Sequence, residues 1–284
     1  TQAKTVNGCV LKQKTRCVSK KLNWKLEFHG KLQGAHFRKA KMRGVDLRNV
    51  NLKGADLRKA DLTSANLAGA FLKGANLKGA TLTDTNFGGA TLSRADLTAV
   101  KAENSSFYGA ELKNSTMSNG DFSNANFYGA DLTHANLAGS NSPPPPPPFS
   151  DATPKTTTNL INANLWGSTL SGTDLTNVNL ENANLYGSVA MPDPANLTGT
   201  LLYSANLSSA IFNGANFTDA FMHASSIQIS ALNGANFTNA SLGSVVIINS
   251  SFEGADFTGA VFPRAVWINV TCPDGMIQST ACAP

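Results

Sequence analysis

Residues 46–97 read DLRNV NLKGA DLRKA DLTSA NLAGA FLKGA NLKGA TLTDT NFGGA TLSRA DL. Leu47, Leu52, Leu57, Leu62, Leu67, Leu72, Leu77, Leu82, Phe87, Leu92 and Leu97 fall at one strict spacing of five. Small residues such as Ala55, Ala60, Ala65, Ala70, Ala75 and Ala80 stand two places before, and Asn or Asp usually stands just before. A period of five matches neither the helix at 3.6 nor the strand at 2. The chain must therefore turn once per unit, with Leu and Ala inward and the other three positions facing water. Repetition at a fixed period marks a solenoid. Phe87, Phe107 and Phe127 lie twenty residues apart, as do Phe217, Phe237 and Phe257. Four units to a coil would stack these rings in successive layers.

The unit Ala-(Asp/Asn)-(Leu/Phe)-x-x resembles that of the pentapeptide-repeat family. The resemblance implies an all-β fold, a right-handed quadrilateral β-helix with four pentapeptides per coil. About 43 units then make roughly eleven coils, and at about 4.8 Å per layer a rod about 50 Å long. Five stretches are expected: a cap over 1–31 holding a Cys9/Cys17 loop, solenoid over 32–140, a proline-rich external loop over 141–159, the same solenoid over 160–268, and a closing segment over 269–284 with Cys272/Cys282. Pro143, Pro144, Pro145, Pro146, Pro147 and Pro148 favour extended polyproline II. A slip of two residues at 191–194 reads as a corner bulge. Trp24, Leu26 and Phe28 should close the first coil, and Val261, Phe262, Val266, Trp267 and Ile268 should plug the last.

The four cysteines form two local pairs at the ends, Cys9 with Cys17 and Cys272 with Cys282. Neither pair has zinc-ligand spacing and the histidines are few and remote, so no metal or cofactor is expected. Two terminal disulfides limiting fraying stand against four free structural thiols. The tail from Thr271 resembles a closing segment of exported bacterial members of the family. Disulfides imply an oxidising compartment, extracellular or else a thylakoid lumen or periplasm. The longest apolar run, around Val245 to Ile248, is far too short to span a membrane.

Ser142 and the six prolines resemble the runs of hydroxyproline-rich wall glycoproteins, which implies hydroxylation and O-glycosylation; an undecorated spacer is the other reading. Sequons occur at Asn104, Asn114, Asn196, Asn206, Asn216, Asn236, Asn239, Asn249 and Asn269. A repeat rich in Asn-Leu-Thr and Asn-Phe-Thr makes sequons automatically, yet asparagines preceding the inward residue should face solvent and some should carry glycan.

The net charge of +5 hides a polar molecule. Residues 1–60 hold 16 of the 23 Lys and Arg against three acids, Glu27, Asp46 and Asp56, leaving seven basic and 15 acidic residues for the remainder. Arg38, Arg43, Arg48 and Lys53 step round all four sides as a basic collar, with Arg58 and Lys78 above Arg38 and Lys73 above Lys53. Such a collar meets acidic glycan, an anionic surface or the acidic part of another copy, head to tail or laterally; without exposed aromatics beside it, specific nucleic-acid binding is not expected. A solvated face that keeps the rod soluble is the plain alternative.

Tyr108 and Tyr128, and again Trp166 and Tyr186, follow inward residues at twenty-residue spacing. Looping out eighteen residues round the prolines would file all four on one side as an aromatic ladder. The ladder suits docking of the proline run, sugar stacking or a protein interface, or has no role beyond the rings stacking on each other.

No phosphate loop, nucleophile elbow or histidine with a partner appears, and Asp56, Asp61, Asp96 and Asp131 belong to the repeat's outward slot, so no catalytic residue is expected. The resemblance also implies the family's best-known activity, mimicry of duplex DNA by an acidic rod that blocks a type II topoisomerase. The basic collar departs from it. Ice binding calls for regular outward threonine ranks, and Thr63, Thr83 and Thr98 are scattered. A non-enzymatic, exported structural or binding scaffold is the expectation, a glycosylated matrix or filament component, with a lumenal or periplasmic partner protein as the alternative.

Overall fold

The residue before each inward side chain bridges, in parallel, the residue twenty further on: His36 with Asp56, Asp46 with Asn66, Asn51 with Phe71, and so along the chain. The computed structural model describes residues 4–6, 9–11, 17, 32–138, 158 and 160–282. Over 32–138 and 160–272 the backbone is the expected right-handed quadrilateral β-helix, four pentapeptides to a coil. Within a unit the Ala60 N–H donates to the Leu57 carbonyl at 3.0 Å and closes a turn whose third residue, Lys59, has φ 57°. A type II turn needs positive φ there, which is why Gly and Asn occupy so many of these positions. Between layers, Leu57 N–H donates to Asn76 O at 2.7 Å, Lys59 N–H to Lys78 O at 3.0 Å and Asn76 N–H to Ala55 O at 2.9 Å. Backbone polar groups are thus paired coil to coil.

The Asp/Asn slot has a local reason. Its side-chain oxygen accepts the N–H two residues on, as Asp61 does from Thr63 at 3.2 Å and Asn66 from Ala68 at 3.1 Å. This is the short-range bond that Asn and Asp make in turns.

We number the faces by their first complete coil: I from Phe37, II from Met42, III from Leu47 and IV from Leu52. Face III stacks Leu47, Leu67, Phe87, Phe107, Phe127, Leu165, Leu185, Leu207, Ile227, Ile247 and Trp267 inward, eleven layers, all buried. Phe87, Phe107 and Phe127 stack at 5.0 and 4.8 Å, and Phe217 and Phe237 at 4.8 Å. Asn126 bridges Asn164, so eighteen residues drop out of register between Leu137 on face I and Leu160 on face II. Asp174 bridges Asn196, which leaves two extra residues at 191–194. The proline run lies outside the described residues.

At the start, β1 (Lys4–Val6) and β2 (Cys9–Leu11) pair antiparallel. Buried Cys17 donates its N–H to His36 O at 2.7 Å, beneath face I. Trp24, Leu26 and Phe28 lie outside the described residues. At the far end β3 (Ser226–Gln228), β4 (Val246–Ile248) and β5 (Val266–Ile268) form a parallel three-stranded sheet on face III. The last coil turns Phe257, Phe262, Trp267 and Cys272 inward, and the three rings meet at 5.2 to 6.2 Å. Then β6 (Val270–Thr271) pairs antiparallel with β7 (Ile277–Gln278), and the tail returns to the Cys272–Cys282 disulfide.

Candidate functional site

Each unit presents three outward positions, before, after and two after the inward residue, and twenty-residue registry turns each into a column along the rod. Surface chemistry is therefore organised by face.

The collar cations stand on successive faces: Arg38 on I, Arg43 on II, Arg48 on III and Lys53 on IV, with Arg58 and Lys78 above Arg38 and Lys73 above Lys53. Their electrostatics differ from a bare collar, which is a correction. Arg48 grips Asp46 through Nε at 2.9 Å and Nη2 at 2.7 Å, and Arg58 grips Asp56 at 2.8 and 2.7 Å. Arg43 reaches Asp61 at 3.7 Å. Residues before and after an inward side chain point out of the same face, so Asp-Leu-Arg pairs with itself. Arg58 holds the Asp56 carboxyl below the usual carboxylate range against the opposing effect of partial burial. Arg38, Lys53, Lys73 and Lys78 form no ion pair among the described residues. These four are the collar's free charge.

On face III, Tyr108 and Tyr128 stack at 5.3 Å with planes 7° apart, Trp166 meets Tyr128 at 5.4 Å and 64°, and Tyr186 meets Trp166 at 5.5 Å and 77°. The eighteen-residue skip puts Trp166 one layer above Tyr128. Beside the rings runs an amide ladder, Asn164 Nδ2 donating to Asn126 Oδ1 at 3.4 Å and Asn184 to Asn164 and Asn206 to Asn184 at 3.3 Å each.

The sequons divide in two, another correction. Asn104, Asn114, Asn239, Asn249 and Asn269 occupy the left-handed turn position, not the slot before the inward residue. The others, Asn196, Asn206, Asn216 and Asn236, are half-buried, and Asn196 and Asn216 already donate their amides to Thr176 at 2.8 Å and Thr198 at 2.9 Å.

Threonines are also ranked. Face I carries Thr176, Thr198, Thr218, Thr238 and Thr258 in consecutive layers, each hydroxyl donating to the Asp or Asn two residues before it at 2.6 to 2.7 Å. The spacing of 22 and then 20 hides this rank in the sequence, and allowing for the two-residue slip recovers it.

Of the cysteines, Cys272 and Cys282 are joined and Cys17 is disulfide-bonded, while the Cys9 side chain lies outside the described residues. Among the described residues no group of three or more His, Cys, Asp or Glu could hold a metal ion, and no helix is long and apolar enough to cross a membrane.

The model of the family described as pentapeptide repeats matches residues 31–67, 60–98, 105–141, 158–189, 195–226 and 230–265. No curated protein matches. Among solved structures the chain is similar to HetL, involved in heterocyst differentiation regulation in the cyanobacterium Nostoc sp. strain PCC 7120, at 26% identity over 94% of this chain and 92% of that one, TM-score 0.37. It is similar to QnrB1, a plasmid-mediated fluoroquinolone resistance protein, at 17% identity over 78% and 90%, TM-score 0.40. A thylakoid-lumen pentapeptide repeat protein of Arabidopsis thaliana matches at 24% identity over 46% of this chain and 69% of that one, TM-score 0.26.

Proposed function

This chain belongs to the pentapeptide-repeat family, and on that premise we propose a non-enzymatic scaffold outside the cytosol, a matrix or filament component that assembles through its charged surface and ends. Charge polarity carries the reading. The first 60 residues hold 16 basic residues against three acidic, and the remainder seven against 15. Of the collar residues, Arg38 and Lys53, with Lys73 and Lys78 above them, carry charge that no carboxylate among the described residues neutralises on faces I and IV, where the acidic part of another copy or an acidic glycan would neutralise it. The bonded cysteines support an oxidising compartment, and a lumenal or periplasmic partner protein would use them equally. Glycans on exposed sequons and hydroxylated prolines belong to the extracellular form of the proposal.

Light scattering and an acidic-glycan array test it. Association or glycan binding is expected at low salt and should weaken as salt rises through about 0.15 M, where exposed charges are screened within roughly 8 Å. Arg38→Glu with Lys53→Glu and Lys73→Glu should abolish it while leaving the thermal transition in place. A wild type that is inert to both at every salt concentration removes the proposal.

A further inference from the structure

Face III is the uncharged side of a charged rod. From Asn66 to Asn269, ten layers, its outward positions include no Lys, Arg, Asp, Glu or His. Over the same span face I carries Lys78 and Asp219, face II Lys101 and Glu103, and face IV Arg94 and Lys113. Seven of the twelve large apolar side chains exposed among the described residues also lie on face III: Tyr108, Tyr128, Trp166, Tyr186, Ile229, Val266 and Ile268.

Ile229 adds an independent sign. It sits at the left-handed turn position with φ 55°, the only β-branched residue to do so among the described residues, and is 69% exposed. A β-branched side chain there is strained, and so exposed a side chain contributes little burial in return. Such strain points to a use at the surface.

We infer that face III is a self-association surface on which a second copy of this chain lies antiparallel. The inference deepens the scaffold reading and rests on it. A two-fold contact lays one patch on its own copy, and a surface without charge avoids facing like against like. The height profile is self-complementary. Successive layers present Tyr108, Tyr128, Trp166, Tyr186, Ser208, Gln228, Ile248 and Ile268 after the inward residue. A two-fold axis between the Tyr186 and Ser208 layers sets Tyr186 over Ser208, Trp166 over Gln228, Tyr128 over Ile248 and Tyr108 over Ile268. Tall rings meet shorter or aliphatic side chains at every layer. Tyr108 and Tyr128 also spend one face on each other, stacked at 5.3 Å with planes 7° apart.

Eight layers at about 4.8 Å and a face about 10 Å wide give a flat contact of roughly 350 Å² per copy. A stable interface takes about 800 Å² per partner, so the dimer is a weak one that forms at high concentration or within an assembly.

Sedimentation equilibrium on the full chain, in low salt and in about 0.5 M NaCl, is the test. The expected result is a monomer–dimer equilibrium no weaker at high salt, because no ion pair holds it. Ile248→Lys should weaken it at least about tenfold, and Ile229→Gly should weaken it while leaving the thermal transition unchanged or higher, since Gly tolerates that backbone. With a short bismaleimide, Ser208→Cys beside the axis should cross-link to its own copy. Tyr108→Cys should cross-link only in a mixture with Ile268→Cys. A wild type monomeric at the highest concentrations overturns the inference, as does Tyr108→Cys linking to itself. So does a monomer whose Trp166 fluorescence titrates with a neutral oligosaccharide or a proline hexapeptide, which would give the face to that ligand. Association that vanishes at high salt yet survives Ile248→Lys also overturns it while leaving the collar-driven scaffold standing. A salt-resistant dimer beside a collar that binds nothing does the reverse.

Discussion

Faces I and III hang from one backbone and use it in opposite ways. On face I the outward side chains bond to each other: Asn216 Oδ1 accepts the Thr218 N–H at 3.1 Å and hydroxyl at 2.6 Å, while its Nδ2 donates to Thr198 at 2.9 Å. The fold uses these groups internally. On face III, rings and aliphatic side chains stay open to solvent with no charge among them across ten layers. The inward positions are apolar and buried on both. In this architecture two positions in five fill the core and two more serve the turn, the Asp/Asn slot by its side-chain bond and the left-handed position by its backbone. Yet the outward side chains can still reinforce the rod on one face or recognise something on another.

The largest expected effect breaks the comparison if it fails. Leu77 is fully buried on face I, and Leu77→Asp puts an unpaired charge in a dry core, a cost the rod cannot offset. Loss of the cooperative thermal transition and rapid proteolysis are expected, and the equivalent change at Leu67 on face III should do the same. A soluble, protease-resistant variant at either position would mean that the inward register is not what both faces share.

How far the sequence reveals this division depends on position. The inward register is legible because every layer repeats the same demand, an apolar side chain at one spacing, so Leu47 to Leu97 define it without help. The aromatic column was legible too, once eighteen residues were removed between Leu137 and Leu160. Face I was not. Its threonine rank crosses the slip at 191–194, and a reading confined to Thr63, Thr83 and Thr98 passes it by. The collar was half legible: counting Arg48 and Arg58 as free cations ignores that Asp46 and Asp56 leave the same face two residues earlier. The ends resist reading because a cap has no period, and Trp24, Leu26 and Phe28 remain outside the described residues.

A smaller effect separates the two faces by stability. Asn216→Ala removes three hydrogen bonds and leaves polar groups behind, so a loss of about 1–3 kcal/mol is expected. Tyr128→Ser removes an exposed ring whose contacts are with Tyr108 and Trp166, and ring pairs contribute about 0.5–1.5 kcal/mol. Denaturant unfolding should therefore rank Asn216→Ala as the more damaging, while sedimentation should show Tyr128→Ser weakening association and Asn216→Ala leaving it alone. The opposite ranking on both measurements would reverse the roles assigned to the faces.

The smallest effect lies low on face I and uses a chemistry that face III lacks over its upper ten layers, a carboxylate. The side-chain bond from Arg58 lowers the Asp56 pKa, with partial burial opposing, and the N–H and charge of Arg58 and the nearby His36 adding to the lowering. A carboxylate whose folded pKa is depressed stabilises the fold fully above its unfolded value, about 3.9, and that contribution is lost as pH falls through the lower folded value. The pair is partly exposed, so the change in stability should be slight, and the cleaner readout is the Asp56 carboxyl titration followed by NMR. Its midpoint should lie below the ordinary aspartate value and rise towards it in Arg58→Ala. Parent and Tyr128→Ser should share the same acid limb, since no carboxylate or imidazole stands on face III near that ring. An Asp56 midpoint at the ordinary value in the parent would mean that the Arg58 pair does not persist in solution, and would return Arg58 to the free charge of the collar.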